Sequence, residues 1–190
     1  MGIREEKKFK TRALIIEETK NVLLEKGYIR LSTKDISNRT KVSQGTIFLH
    51  FQSKDNLLNY ILIELISDFI KSLKNEINVK SKREDFVGDI LKIISIHEKV
   101  LTIVFRDYSY LSDDIKKNVD LCESTLKSLF FDNIRNSEGK QISIVDSFVL
   151  IDGFLSQIKN YLLMKDLSSH GNIIKQSTGK LNKLYKYLFL

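Results

Sequence analysis

Not one of the 190 residues is proline, and no stretch alternates apolar and polar positions long enough to read as a half-buried strand. A chain without proline has no fixed-φ breaks, so its helices must be ended by glycine and by capping side chains. Apolar residues recurring at three and four then point to an all-α fold. With 42% hydrophobic residues, 190 positions suffice for one or two compact cores.

Capping signals divide the chain. A first helix is predicted over Phe9 to Lys26, with Ile16, Val22 and Leu23 as its inner stripe and Gly27 in the left-handed position that ends it. Ser32, with Asp35 three residues on, forms a capping box for a helix over Thr33 to Thr40, on which Ile36 and Thr40 face inward. Lys41 makes the turn, Val42 plugs the core, and Ser43 caps a short helix from Gln44 to about His50. Ser53 caps a long helix from Lys54 to about Val79. Further helices are expected near 84–95, 97–108 and 113–136, then a loop at 136–140 and two long helices at 142–165 and 172–190. This organisation implies an N-terminal three-helix domain, 1–53, and a helical body, 54–190.

Charge follows the same division. Residues 1–54 carry a net +6 of the total +7, and residues 55–190 only +1. A basic head on a near-neutral body suggests a polyanion partner for the head; an ordinary basic surface is the plainer reading of charge alone. The charged start lacks the apolar stretch of a signal peptide, and Glu6 stands where a myristoylation signal needs Ser or Thr. No uncharged apolar run approaches the roughly 18 residues of a spanning helix, so no membrane partner is expected and the chain reads as soluble and cytoplasmic. The single Cys122 excludes an intrachain disulfide and reads as a small core residue.

Two short capped helices joined by a tight turn have the layout of a helix-turn-helix, in which the second helix enters a DNA major groove. The chemistry of 33–54 suits double-stranded DNA. The N-terminus of the 44–50 helix, capped by Ser43, offers backbone N–H groups and a positive dipole end to a phosphate or an acceptor edge. Gly45 lets the backbone come close, Gln44 can pair bidentately with adenine, and Thr46 can meet a base edge or a thymine methyl. Leu49 is placed for a thymine methyl if it faces out. Thr33, Lys34, His50 and Lys54 suit phosphates, although Thr33 also fits plain helix-start chemistry. Phe48 is partly core and Phe51 core.

These residues carry a family likeness. Arg12, Ile15-Ile16, Val22-Leu23, Gly27-Tyr28, Asp35-Ile36, Val42-Ser43-Gln44-Gly45-Thr46, Ile47-Phe48-Leu49-His50-Phe51 and Ser53-Lys54-Asp55-Asn56-Leu57 together resemble the DNA-binding segment of the TetR family of transcription regulators. The match runs from Arg12 to Leu58. It departs from the family pattern at Glu18-Thr19, at Thr40-Lys41 before Val42, and at Phe48 where tyrosine is usual. Phe48 thereby lacks a hydroxyl that in relatives commonly reaches a phosphate.

The resemblance implies a homodimer on a palindromic operator, most often a repressor, released by a small apolar or aromatic effector held among the middle helices. Phe105, Tyr108, Tyr110 and Phe130 are candidate lining residues, with His97, Arg106 and Gln157 as polar anchors. The long helix after Lys54 would link pocket to head. The last two helices are the candidate dimer interface through Phe154, Leu155, Ile158, Leu181, Leu184 and Leu188, with Gly153 allowing close approach. Aromatic lining and apolar stripes are equally what any helical core shows.

Two rival classes remain. An enzyme is disfavoured because the chain has no H-E-x-x-H, phosphate loop, G-x-G-x-x-G or Cys pair, and His50, His97 and His170 are scattered. No catalytic residue, metal site or cofactor is therefore expected. A constitutive architectural DNA-binding protein needs no effector and would show little sequence preference.

Overall fold

Side-chain caps set the boundaries of the head. In the computed structural model, which describes residues 2–136, 141–164 and 171–190, α1 spans Ile3–Lys26, α2 Thr33–Thr40, α3 Gln44–Phe51 and α4 Lys54–Glu76. Ser32, Ser43 and Ser53 each accept a hydrogen bond from the backbone N–H three residues on. Gly27 ends α1 at φ 85°. Lys41 takes the left-handed turn between α2 and α3 at φ 60°, a conformation that glycine adopts more cheaply. Thr40, buried, braces that turn: its hydroxyl donates to Ile36 O and accepts from Val42 N.

The body comprises α5 (Arg83–Ile96), α6 (Glu98–Arg106), a 3-10 turn at Tyr108–Tyr110, α7 (Asp113–Asn136), α8 (Ile144–Leu163) and α9 (Ile173–Phe189). No strand occurs among the described residues. The all-α class expected from the missing proline is the class observed.

Several boundaries differ from the sequence reading for physical reasons. α1 begins at Ile3 rather than Phe9, because its first turns are solvent-exposed on every side and leave no apolar stripe to read. The Glu5 carboxylate accepts from Gly2 N at 3.2 Å and sits at the positive end of the helix. α6 ends at Arg106, where Asp107 begins the 3-10 turn. α8 begins at Ile144, set by Ser143, whose hydroxyl accepts from Asp146 N. Residues 137–140 of the expected loop, Lys165 of the expected helix and His170 lie outside the described residues.

Packing joins head and body through one apolar core. Ile15, Leu23, Ile36, Ile47 and Phe51 of the head meet Leu57 and Leu58 of α4, all buried. Arg12 on α1 locks α3 from behind: it donates to His50 O at 2.9 Å and its guanidinium lies 4.2 Å from the centre of the Phe51 ring. The body is built round five aromatic side chains, Phe86, Phe130, Phe154, Tyr185 and Phe189. Phe130 sits edge-on to Phe86 at 5.0 Å, and Tyr185 stacks on Phe189 at 4.7 Å. Such pairs contribute about 0.5–1.5 kcal/mol beyond the area they bury.

Buried charges close the helix ends of the body. Arg83 donates to Phe189 O and Ile134 O, the carbonyl ends of α9 and α7. Glu98 accepts from Ile173 N and Ile174 N at the start of α9. Each charge faces the dipole end that favours it.

Candidate DNA-binding head and ligand cavity

The outward surface of α3 is assembled by its cap. Ser43 caps the first turn, Gln44, Gly45 and Thr46, by accepting from Thr46 N at 3.2 Å. Gln44 and Gly45 are exposed, and Leu49 is 79% exposed, so this apolar side chain faces out. Phe48 is about half exposed, whereas Phe51 is core. Lys34 is exposed at the start of α2. Lys54 turns one proton inward to Leu31 O at 3.3 Å, tying the start of α4 to the loop before α2. His50 is held below its ordinary pKa by burial and by the positive charges of Lys8 and Arg12. It is therefore neutral near pH 7 in the unbound protein.

Two hydrogen bonds that the sequence does not announce tie down this surface. Thr33 Oγ1 donates to Gln44 Oε1 at 3.0 Å, from the first residue of α2 to the first of α3. The hydroxyls of Ser43 and Thr46 are hydrogen-bonded to each other at 2.9 Å.

A cavity of about 270 Å³ lies among α5, α6, α7 and α8. Its apolar wall is made by Ile94, Leu101, Phe105, Cys122, Leu126, Leu155, Ile158 and Leu162. Two cross-helix ion pairs stand at its charged side, Lys127 with Asp152 at 2.8 Å and Lys159 with Glu123 at 3.8 Å. Lys159 also lies 4.7 Å from the centre of the Phe105 ring. The bond to Asp152 raises the pKa of Lys127, and burial pushes the Cys122 thiol up to about 12, so the thiol stays protonated.

This cavity corrects most of the expected lining. Of His97, Phe105, Arg106, Tyr108, Tyr110, Phe130 and Gln157, only Phe105 lines it. Phe130 is the centre of the aromatic core; His97 packs against Phe69 at 5.2 Å, its pKa lowered by burial. Arg106 pairs with Asp107 at 2.9 Å, and Tyr108 and Tyr110 are exposed. Gln157 is half-buried on α8 but faces elsewhere. The missed signal was opposite charges at helical spacing beside apolar residues: Glu123 and Lys127 one turn apart on α7, and Asp152 and Lys159 two turns apart on α8.

The expected interface also needs correction. Phe154, Ile158 and Leu181 are buried inside the protomer, and Leu155 lines the cavity, so none of them presents a side chain to a partner from the surface. Leu184 and Leu188 are half-buried on α9. The exposed apolar residues of α8 are instead Ile144, Val145, Phe148 and Val149 at its start and Leu163 at its end.

A helix-turn-helix with an outward-facing second helix, joined to an all-helical body, defines a DNA-binding regulator fold. Residues 15–61 match the family model for bacterial regulatory proteins of the tetR family. The fatty acid metabolism regulator protein of Bacillus subtilis (strain 168) is 25% identical over 117 residues, a match covering 60% of this chain and 54% of that relative; the match thus spans about half the length of the relative. The fold of a transcriptional regulator from Aquifex aeolicus VF5 superposes with a TM-score of 0.70 at 19% identity, covering 94% of this chain and 99% of that one. FadR from Bacillus subtilis in complex with stearoyl-CoA superposes at 0.61 with 15% identity, covering 93% and 97%. The head of the chain is thus similar to the DNA-binding segment of the tetR family, and its fold to that of the transcriptional regulators it superposes on. Among the described residues no helix is long and apolar enough to cross a membrane.

Proposed function

We propose that the chain is a cytoplasmic, effector-responsive repressor that binds a palindromic operator as a homodimer, with α3 of each protomer in a major groove. The observation that carries the reading is Gly45. A Cβ there would meet only Ser43 Oγ, at 3.9 Å, and its φ is not in the left-handed region, so nothing inside the chain calls for glycine. In the first turn of a helix glycine costs stability relative to alanine. Close approach of a DNA backbone or base edge to α3 accounts for that cost. Around Gly45, the groove contacts are Gln44, Thr46, Leu49 and Phe48, flanked by the cap of Ser43. Lys34 and Lys54 supply charge toward phosphates, and His50 an imidazole N–H donor, with Thr33 beside them.

The test is Gly45→Ala. Unfolding free energy should hold or rise by a few tenths to about 1 kcal/mol, while operator affinity falls. Affinity equal to wild type would sink the placement of α3 in the groove. Uniform binding of all duplexes by the wild type would favour the architectural reading instead.

The cavity among α5–α8 supports an apolar or aromatic effector, since its walls are aliphatic with Phe105 as the aromatic member. Stearoyl-CoA, bound by one structural neighbour, is the first probe. It should release operator DNA from the wild type and not from Leu126→Trp, which puts a larger side chain into the cavity wall. Equal release from both would place the effector elsewhere.

A further inference from the structure

The Thr33–Gln44 bond bears on which base the head reads. We infer that Thr33 is a positioning residue that turns Gln44 into a donor-only reader, selecting guanine rather than adenine at the base it faces. The inference rests on the proposed docking of α3 in the major groove.

A glutamine amide pairs bidentately with adenine only when its oxygen and its nitrogen both point at the base, the oxygen accepting from N6 and the nitrogen donating to N7. Here the oxygen is turned to the hydroxyl of Thr33 on the neighbouring helix, at 3.0 Å. That bond takes one of the oxygen's two lone pairs and draws the C=O toward α2, away from the in-plane pose that adenine needs, so the NH2 group is the edge left free for the base. Guanine shows two acceptors in the groove, N7 and O6, whereas adenine shows one acceptor beside a donor. A donor-only group therefore favours guanine.

The surroundings hold this arrangement in place. Thr33 is half-buried as the first residue of α2, fixed by the capping box of Ser32 and Asp35 beside it. Gln44 is fixed as the first residue of α3 by the Ser43 cap. The two helices meet at a turn braced by Thr40. The second reading side chain, Thr46, is likewise tied to Ser43, so the surface is ordered before DNA arrives.

The experiment is selection of half-sites from randomised duplexes at one fixed salt concentration, with the full-length wild type, Thr33→Val, Thr33→Ser and Gln44→Ala, each first shown to be folded by thermal unfolding. The wild type and Thr33→Ser should both select guanine at one position. Thr33→Val, which keeps the shape and removes the donor, should shift that position toward adenine by about tenfold in relative affinity. Gln44→Ala should abolish the preference there and leave the other positions as they were. Adenine selected by the wild type, or a Thr33→Val profile identical to wild type at lower affinity, overturns the inference and leaves Thr33 a phosphate contact. A Gln44→Ala profile unchanged at every position would instead overturn the docking of α3 itself.

Discussion

The carboxylate of Asp107 accepts a hydrogen bond from the backbone N–H of Tyr28 at 3.1 Å, joining the end of α6 to the loop between α1 and α2. Asp107 is buried, and its other oxygen is held by Arg106 at 2.9 Å. Two residues before it, Phe105 lines the cavity. The last turn of α6 thus joins a wall of the cavity directly to the head. α4, expected to be the link, contributes no lining residue. Asp107→Ala leaves the Tyr28 N–H buried without its acceptor, which should lower stability by about 1–3 kcal/mol. Asp107→Asn keeps an acceptor and should lose less. Chemical denaturation gives the first number, and amide exchange at Tyr28 locates it. A Tyr28 amide equally protected in Asp107→Ala would show that the bond restrains nothing.

The capping box of α2 makes the head sensitive to acid. Lys26 donates to Asp35 at 2.7 Å, and the backbone N–H and hydroxyl of Ser32 donate to its other oxygen. These bonds hold the Asp35 pKa down at about 2, against about 3.9 for an unperturbed aspartate. A folded-state value below the unfolded one means that the contribution is complete above about pH 4 and lost as pH falls toward 2. Asp35→Asn should therefore destabilise the protein at pH 7, by roughly 1 kcal/mol as for other helix caps. The difference from wild type should shrink steadily between about pH 4 and 2. A gap that stays constant over that range would mean that the carboxylate charge is irrelevant to the cap.

The head was legible because caps and turns are local. Ser32, Asp35, Ser43 and Ser53 bond to backbone three residues away, so their pattern lies in the sequence itself. The helices of the body were legible for the same reason, to within a turn. What failed was the assignment of faces. Phe130 and Phe154 are aromatic and regularly spaced, as pocket or interface residues would be, yet they meet Phe86, Tyr185 and Phe189 from other helices. Only the three-dimensional packing of α5, α7, α8 and α9 decides which apolar stripe is core and which lines a cavity. The bonds Thr33–Gln44 and Tyr28–Asp107 were hidden likewise, since neither residue type announces a partner 11 or 79 positions away.

Lys41 occupies its left-handed turn at φ 60° with its side chain exposed. Lys41→Gly should raise unfolding free energy by up to about 1 kcal/mol, the steric cost of a Cβ in that region less the added freedom of the unfolded chain. Denaturant melts of the two proteins compare this directly. A loss of stability would mean that the lysine stem packs on the head and outweighs the strain. Because the substitution also removes a positive charge beside α3, operator affinity should fall modestly, and the loss should fade as salt rises.

The start of α8 distinguishes a dimer surface from the core behind it. Val145 and Val149 are 72% and 66% exposed on successive turns, and Phe148 between them stacks on Phe131 at 5.4 Å. Val149 shares a surface groove with Leu188 of α9, which joins the two terminal helices into one apolar face. On α8, Gly153 is exposed with open space beyond it, so a neighbouring helix can come close there. If α8 and α9 pair with their copies, Val149→Glu buries two carboxylates near the twofold axis of the dimer. It should then give a folded monomer with weakened operator binding, while helical content and the protomer's own unfolding cooperativity remain. Phe154→Glu, by contrast, puts a charge into the aromatic core and should unfold the body outright. Sedimentation equilibrium separates the two. A Val149→Glu protein that stays dimeric at micromolar concentration would move the interface off this face, and with it the spacing at which the two recognition helices meet DNA.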